Sequence, residues 1–156
     1  DLLAAMRKDR DYVSFERVCS GLAIPELYAF LRDSGREKEP PALAAELREA
    51  ADPTRLIVER SVGAEAIPLC TSTLELFLSI LGVESGNLAL NVLATGGLYI
   101  GGGIPPRVLP LLENGPFMAS FLKKGRFSGL LSKIPVYVIL NPKAALLGAA
   151  VRGLEW

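Results

Sequence analysis

From Pro68 to Pro106 only Glu75 and Glu84 carry a charge, and residues 85–106 carry none. An uncharged run of that length either spans a bilayer or fills the core of a domain, and little else can accommodate it. It holds Asn87 and Asn91, then Gly96 and Gly97, three glycines at 101–103 and the pair Pro105-Pro106. These residues suit a lipid-facing helix poorly, because hydrocarbon leaves no partner for the backbone groups they free. The run therefore reads as a buried helix followed by a buried strand, with no membrane span. Cys70, Leu74, Phe77, Leu81 and Leu88 recur on one helical face, while Leu76, Ile80 and Val83 widen the stripe almost all round. The predicted helix opens at Pro68, reaches Leu93 or Ala94, and stops at Gly96-Gly97.

A helix apolar on most sides must be covered by other elements. The chain has 156 residues, 50% of them hydrophobic, which suffices for one compact domain rather than two. Helical spacing also appears at Leu2, Leu3 and Met6, where the charged run 7–11 ends it, and at Ile24, Leu27, Tyr28 and Leu31, with Pro25 in the first turn and Gly35 beyond the end. Further helices are predicted at residues 42–50, from the Asp52-Pro53 cap onward, at 108–112, 117–122 and 127–131, and after Pro142. Strands are predicted at 98–100 and 135–140. The result is an α/β, helix-rich chain with few strands. Two strands make no stable sheet alone, so they either pair with another copy or belong to a larger sheet.

Lys plus Arg and Asp plus Glu both number 17, so no global basic field attracts nucleic acid. The absence of histidine excludes a Ser-His-Asp or Cys-His nucleophile and a HExxH zinc site. Cys19 and Cys70 lack CxxC spacing and a neighbouring base, and read as packing residues of a reduced, cytoplasmic chain. No signal-peptide pattern opens the sequence, and no initiator Met does either, which reads as a piece of something longer.

Two segments stand out chemically. GGLYIGGGIPPR at 96–107 is an apolar strand running into three glycines and a helix start, where backbone can approach a ligand closely and a helix N-terminus offers amides. It is neither a P-loop nor GxGxxG, and a tight turn without a ligand fits the pattern equally. In VSFERVCSG at 13–21, Ser14 can cap a short turn, and Glu16 lies between Phe15 and Val18. Glu16 either accepts hydrogen bonds from a polyol or pairs on the surface with Arg17 or Arg10. Lys123, Lys124 and Arg126 form a basic cluster, read as a solvated loop or a phosphate contact.

GNLALN at 86–91, GGLYIGGGIPPR, KGRFSGLL at 124–131, KIPVYVIL at 133–140 and ALLGAA at 145–150 together resemble the carboxy-terminal portion of the bacterial glucokinase family. VSFERVCSG, followed by LYAFL, resembles that family's VSxERVLSG segment. The resemblance runs through nearly the whole chain in order and is weakest at residues 33–67. It implies an actin-like, ribonuclease H-like ATPase fold, with residues 1–156 as a carboxy-terminal domain. It further implies ATP-dependent phosphorylation of glucose, with Mg²⁺, by the full-length protein, and a cytoplasmic homo-oligomer. Glu16 matches the family glutamate that bonds a glucose hydroxyl, and Gly102 and Gly103 match the glycine pair of the adenosine-binding turn. Two positions depart: Ser20-Gly21-Leu22-Ala23 stands where SGPG is common, and Pro105 stands where an aliphatic residue is usual. The family's DxGGT phosphate turn, its catalytic aspartate and its GExGH segment do not occur in this sequence. The resemblance therefore assigns no catalytic residue and no metal ligand here, and the chain alone is expected to be inactive. The alternative is a non-catalytic sugar-kinase relative kept for regulation or oligomerisation.

Overall fold

Helix α1 (Leu2–Met6) opens on Asp1, whose carboxylate accepts the Leu3 amide at 3.0 Å, and it tightens into a 3-10 turn at Arg7–Asp9. The structure is a computed structural model, and it describes residues 1–154. The last two residues of the expected 1–156 unit thus lie outside the described ones. Helix α2 (Glu16–Cys19) is a single turn leading into a 3-10 turn at Gly21–Ala23. Ser14 serves it through its backbone carbonyl, which accepts the Arg17 amide at 3.1 Å, and not through the side-chain cap expected.

From there prolines set most helix starts, because a first-turn residue needs no amide donor. This holds for α3 (Ile24–Asp33), α4 (Pro41–Glu49), α5 (Pro53–Glu59) and α6 (Pro68–Asn91). At α5 the expected cap is present: Asp52 accepts the Arg55 amide at 3.0 Å. Strand β1 (Leu98–Ile100) follows, then a 3-10 turn at Pro105–Val108, α7 (Leu109–Asn114), α8 (Pro116–Leu122), and a 3-10 turn at Gly125–Phe127 leading into α9 (Ser128–Leu131). Strand β2 (Val136–Val138) and α10 (Ala144–Leu154) complete the described chain.

Helix α6 is the axis of the fold, packed between α3 and α8. Its approach to α8 is very close, because a Cβ on Gly82 would sit 2.3 Å from the Phe117 carbonyl oxygen and one on Gly86 would sit 2.7 Å from that of Phe121. The Ser79 and Ser120 hydroxyls bond across the same contact at 2.9 Å. Phe117 and Phe121 are thereby driven into the core beside Leu69, Leu74 and Leu78 of α6 and Ile24 and Leu27 of α3. By length and composition α6 would also cross a membrane, yet 44% of its most apolar window is already buried against its neighbours. Its burial is less complete than expected: Val83 and Leu88 lie exposed. It ends earlier too. Leu93 turns into the left-handed region at φ 49°, and the Ala94 amide reaches back to the Ala89 carbonyl at 3.0 Å. That is a Schellman closure with leucine at the position glycine usually fills.

Strands β1 and β2 pair with each other in parallel, Leu98 opposite Val136, Tyr99 opposite Tyr137 and Ile100 opposite Val138. Strand alternation turns Ile100 into the core and Tyr99 outward, so the strand expected to be buried is only half so. The outward Tyr99 and Tyr137 rings stack with centroids 4.9 Å apart. Helix α10 starts two residues after Pro142 and buries none of its residues.

Candidate functional site

The two segments singled out in the sequence meet in space. Gly21, just past α2, and residues 101–105, just past β1, line one cavity of about 210 Å³ floored by Phe77, Leu78 and Leu81 of α6. They lie close together: a Cβ added at Gly21 would lie 3.4 Å from the Ile104 side chain. The Thr54 hydroxyl, from the first turn of α5, donates to the Gly21 carbonyl at 3.0 Å.

The glycine turn is built for close approach. Gly102 adopts φ +116°, which L side chains rarely tolerate, and a Cβ on Gly103 would meet nothing within 4 Å. Among the described residues, neither the Gly102 nor the Gly103 amide donates to a backbone acceptor. The helix that follows is not the donor the sequence suggested: it is a four-residue 3-10 turn whose first two residues, Pro105 and Pro106, have no N–H. Amides not used by the fold in this turn are therefore those of the glycines and not of the helix start.

Glu16 stands at the start of α2, exposed, outside the lining of the cavity. Among the described residues it has no hydrogen-bond or ion-pair partner. The surface pairing considered for it is absent, since Arg10 holds Glu26 instead through two bonds of 2.7 and 2.9 Å. A carboxylate in that situation keeps its full acceptor capacity for a ligand hydroxyl.

The remaining candidates are structural. Cys19 is a free thiol on the cavity wall, pushed up to about 11 by burial with the Glu84 charge adding, and burial likewise pushes Cys70 up to about 11. Neither is a thiolate near neutral pH. Lys124 donates to the Val83 carbonyl at 2.9 Å and to Asn87 at 2.6 Å, bracing α6 from the side. Arg126 lies over the Phe127 ring at 5.0 Å. Among the described residues no group of three or more His, Cys, Asp or Glu forms that could hold a metal ion. Thr54 is the participant that sequence reading missed, because a hydroxyl bonded across a separation of 33 residues leaves no periodic trace.

Comparison with known proteins gives this geometry a context. The chain is 43% identical to the glucokinase of Nostoc punctiforme over 154 residues and 44% identical to that of Trichormus variabilis over 156, each alignment taking 93% of this chain and 45% of the relative. It thus spans less than half the length of these curated relatives. A crystal structure of glucokinase from an Antarctic psychrotroph superposes with a TM-score of 0.71 at 33% identity, covering 96% of this chain and 43% of that one. The sequence model of the glucokinase family matches residues 1–155, and the chain belongs to that family.

Proposed function

We propose that this chain is the carboxy-terminal portion of an ATP-dependent glucose kinase of actin-like fold, contributing an adenosine-side turn and one sugar contact. The reading rests on one observation: the segment carrying Glu16 and the turn carrying Gly102 and Gly103 converge on a single cavity, although they lie far apart in sequence. In this reading the unpaired Glu16 carboxylate accepts a glucose hydroxyl. The open backbone at Gly102 and Gly103 lets a nucleotide lie against the chain, with two amides to donate. The residues present fit such a nucleotide.

Phosphoryl transfer is mostly positioning and charge stabilisation, and it needs a base for the attacking hydroxyl and a site for the metal-bound triphosphate. In this reading both come from the amino-terminal half that the family resemblance implies for the full-length protein, as does any contact to Mg²⁺. Two free cysteines fit a reducing cytoplasm, and balanced charge fits small-molecule ligands rather than nucleic acid.

The test is Glu16→Gln in the full-length protein. The amide keeps the size of the side chain but replaces one acceptor oxygen with a donor. Loss of a charge-assisted bond costs about 1.5–3 kcal/mol, so kcat/KM for glucose falls roughly tenfold to hundredfold while the KM for ATP holds. Unchanged glucose kinetics would remove Glu16 from the site.

A further inference from the structure

Between Glu16 and the glycine turn stands one polar contact whose donor neither segment contains. Helix α5 is firmly seated: Ile57 and Val58 are buried, Asp52 caps its first turn independently of Thr54, and the helix packs against the 3-10 turn at Pro105–Val108. From that platform the Thr54 hydroxyl reaches across to the Gly21 carbonyl at 3.0 Å, and an ideal Cβ on Gly21 would be 3.9 Å from the Thr54 methyl and 3.4 Å from Ile104. The same carbonyl accepts the Ile24 amide, which closes the 3-10 turn at Gly21–Ala23.

We propose that Thr54 is a positioning residue for the sugar: by pinning Gly21 it fixes where α2, and with it Glu16, stands relative to the Gly102–Gly103 turn. The proposal rests on the functional reading above. Because Gly21 keeps its bond from Ile24, loss of the hydroxyl leaves no orphaned acceptor. The effect therefore falls on the placement of the turn and not on folding. Misplacement of a contact group by less than a side-chain length is enough to weaken binding severalfold or more.

Thr54→Val keeps the methyl and the volume and removes only the donor, while Thr54→Ser keeps the donor. In the valine variant amide hydrogen exchange across residues 18–23 should accelerate severalfold. The KM for glucose should rise roughly three- to tenfold with the KM for ATP unchanged, and the serine variant should restore both. Unchanged exchange in Thr54→Val overturns the latch. Faster exchange with glucose and ATP affinities falling together, or no rescue by serine, overturns the positioning role. A wild-type full-length protein that phosphorylates no glucose removes the functional reading and this role with it, whereas an active wild type beside a kinetically silent Thr54→Val removes this role alone.

Discussion

Gly102 and Gly103 are neighbours with different obligations, and the difference makes one of them a clean probe. Gly102 is held at φ +116°, so any side chain there strains the backbone before a ligand is considered. Gly103 has no such φ, and a Cβ on it would enter open space. Gly103→Val should therefore fold with little change in Tm while filling the volume in front of the turn. In the full-length protein we expect the KM for ATP to rise roughly tenfold or more, about 1.4 kcal/mol, with the KM for glucose nearly constant. Joint loss of both affinities together with thermal stability would mark the glycine as purely structural. The two glycines and Glu16 are readable from sequence because each sits in a recognisable local motif. Which glycine bears the positive φ is not, since three in a row conceal where the chain turns. Nor does the sequence show that Glu16 stands outside the cavity wall, because a four-residue helix has too few turns for periodicity to orient it.

At the scale of elements, the boundary of α6 and its contact with α8 are the informative cases. The helix was expected to run to Leu93 or Ala94 and to be stopped by Gly96-Gly97, yet it ends at Asn91 and closes through Leu93 at φ 49°. Leucine in that conformation pays a steric penalty glycine avoids, and Leu93 is exposed, so little packing is lost on replacing it. Leu93→Gly should stabilise the fold by about 0.5–1 kcal/mol, read as a rise in the denaturation midpoint. Gly82 should behave oppositely. Its missing Cβ lies 2.3 Å from the Phe117 carbonyl, a backbone atom that cannot step aside without moving α8. Gly82→Ala should cost about 2–4 kcal/mol despite alanine's better helix propensity, because overpacking outweighs it. Sequence pattern located α6, α3 and β1 because apolar spacing and proline starts are local signals. The role of the glycines at 82 and 86 is not legible in the sequence, because only the partner helix reveals that they are its contact surface.

At the scale of the molecule, apolar surface remains that none of the described residues covers. Leu147, Val151 and Leu154 lie on one stripe of α10 and are 52, 59 and 89% exposed, and no residue of that helix is buried. Beside it in sequence, β2 belongs to a parallel sheet of only two strands, with Tyr99 and Tyr137 stacked on an open face. Parallel sheets are normally covered on both sides and extended by further strands. Balanced charge, 17 basic against 17 acidic residues, supplies no net repulsion to keep copies apart. Each large aliphatic side chain that becomes fully covered contributes about 1.5–3 kcal/mol, so a stripe of three outweighs a good part of the entropy lost in association. The 156-residue chain should therefore self-associate at tens of micromolar, seen as a light-scattering mass above that of one chain. Replacing both Leu147 and Val151 with Gln should return it to a single-chain mass and leave Tm nearly unchanged, because neither side chain packs against the core. A wild-type chain that scatters as a monomer at high concentration would overturn the prediction. An oligomer indifferent to the double substitution would instead move the contact to the open face of the sheet, where Tyr137→Ser would be the variant that dissolves it.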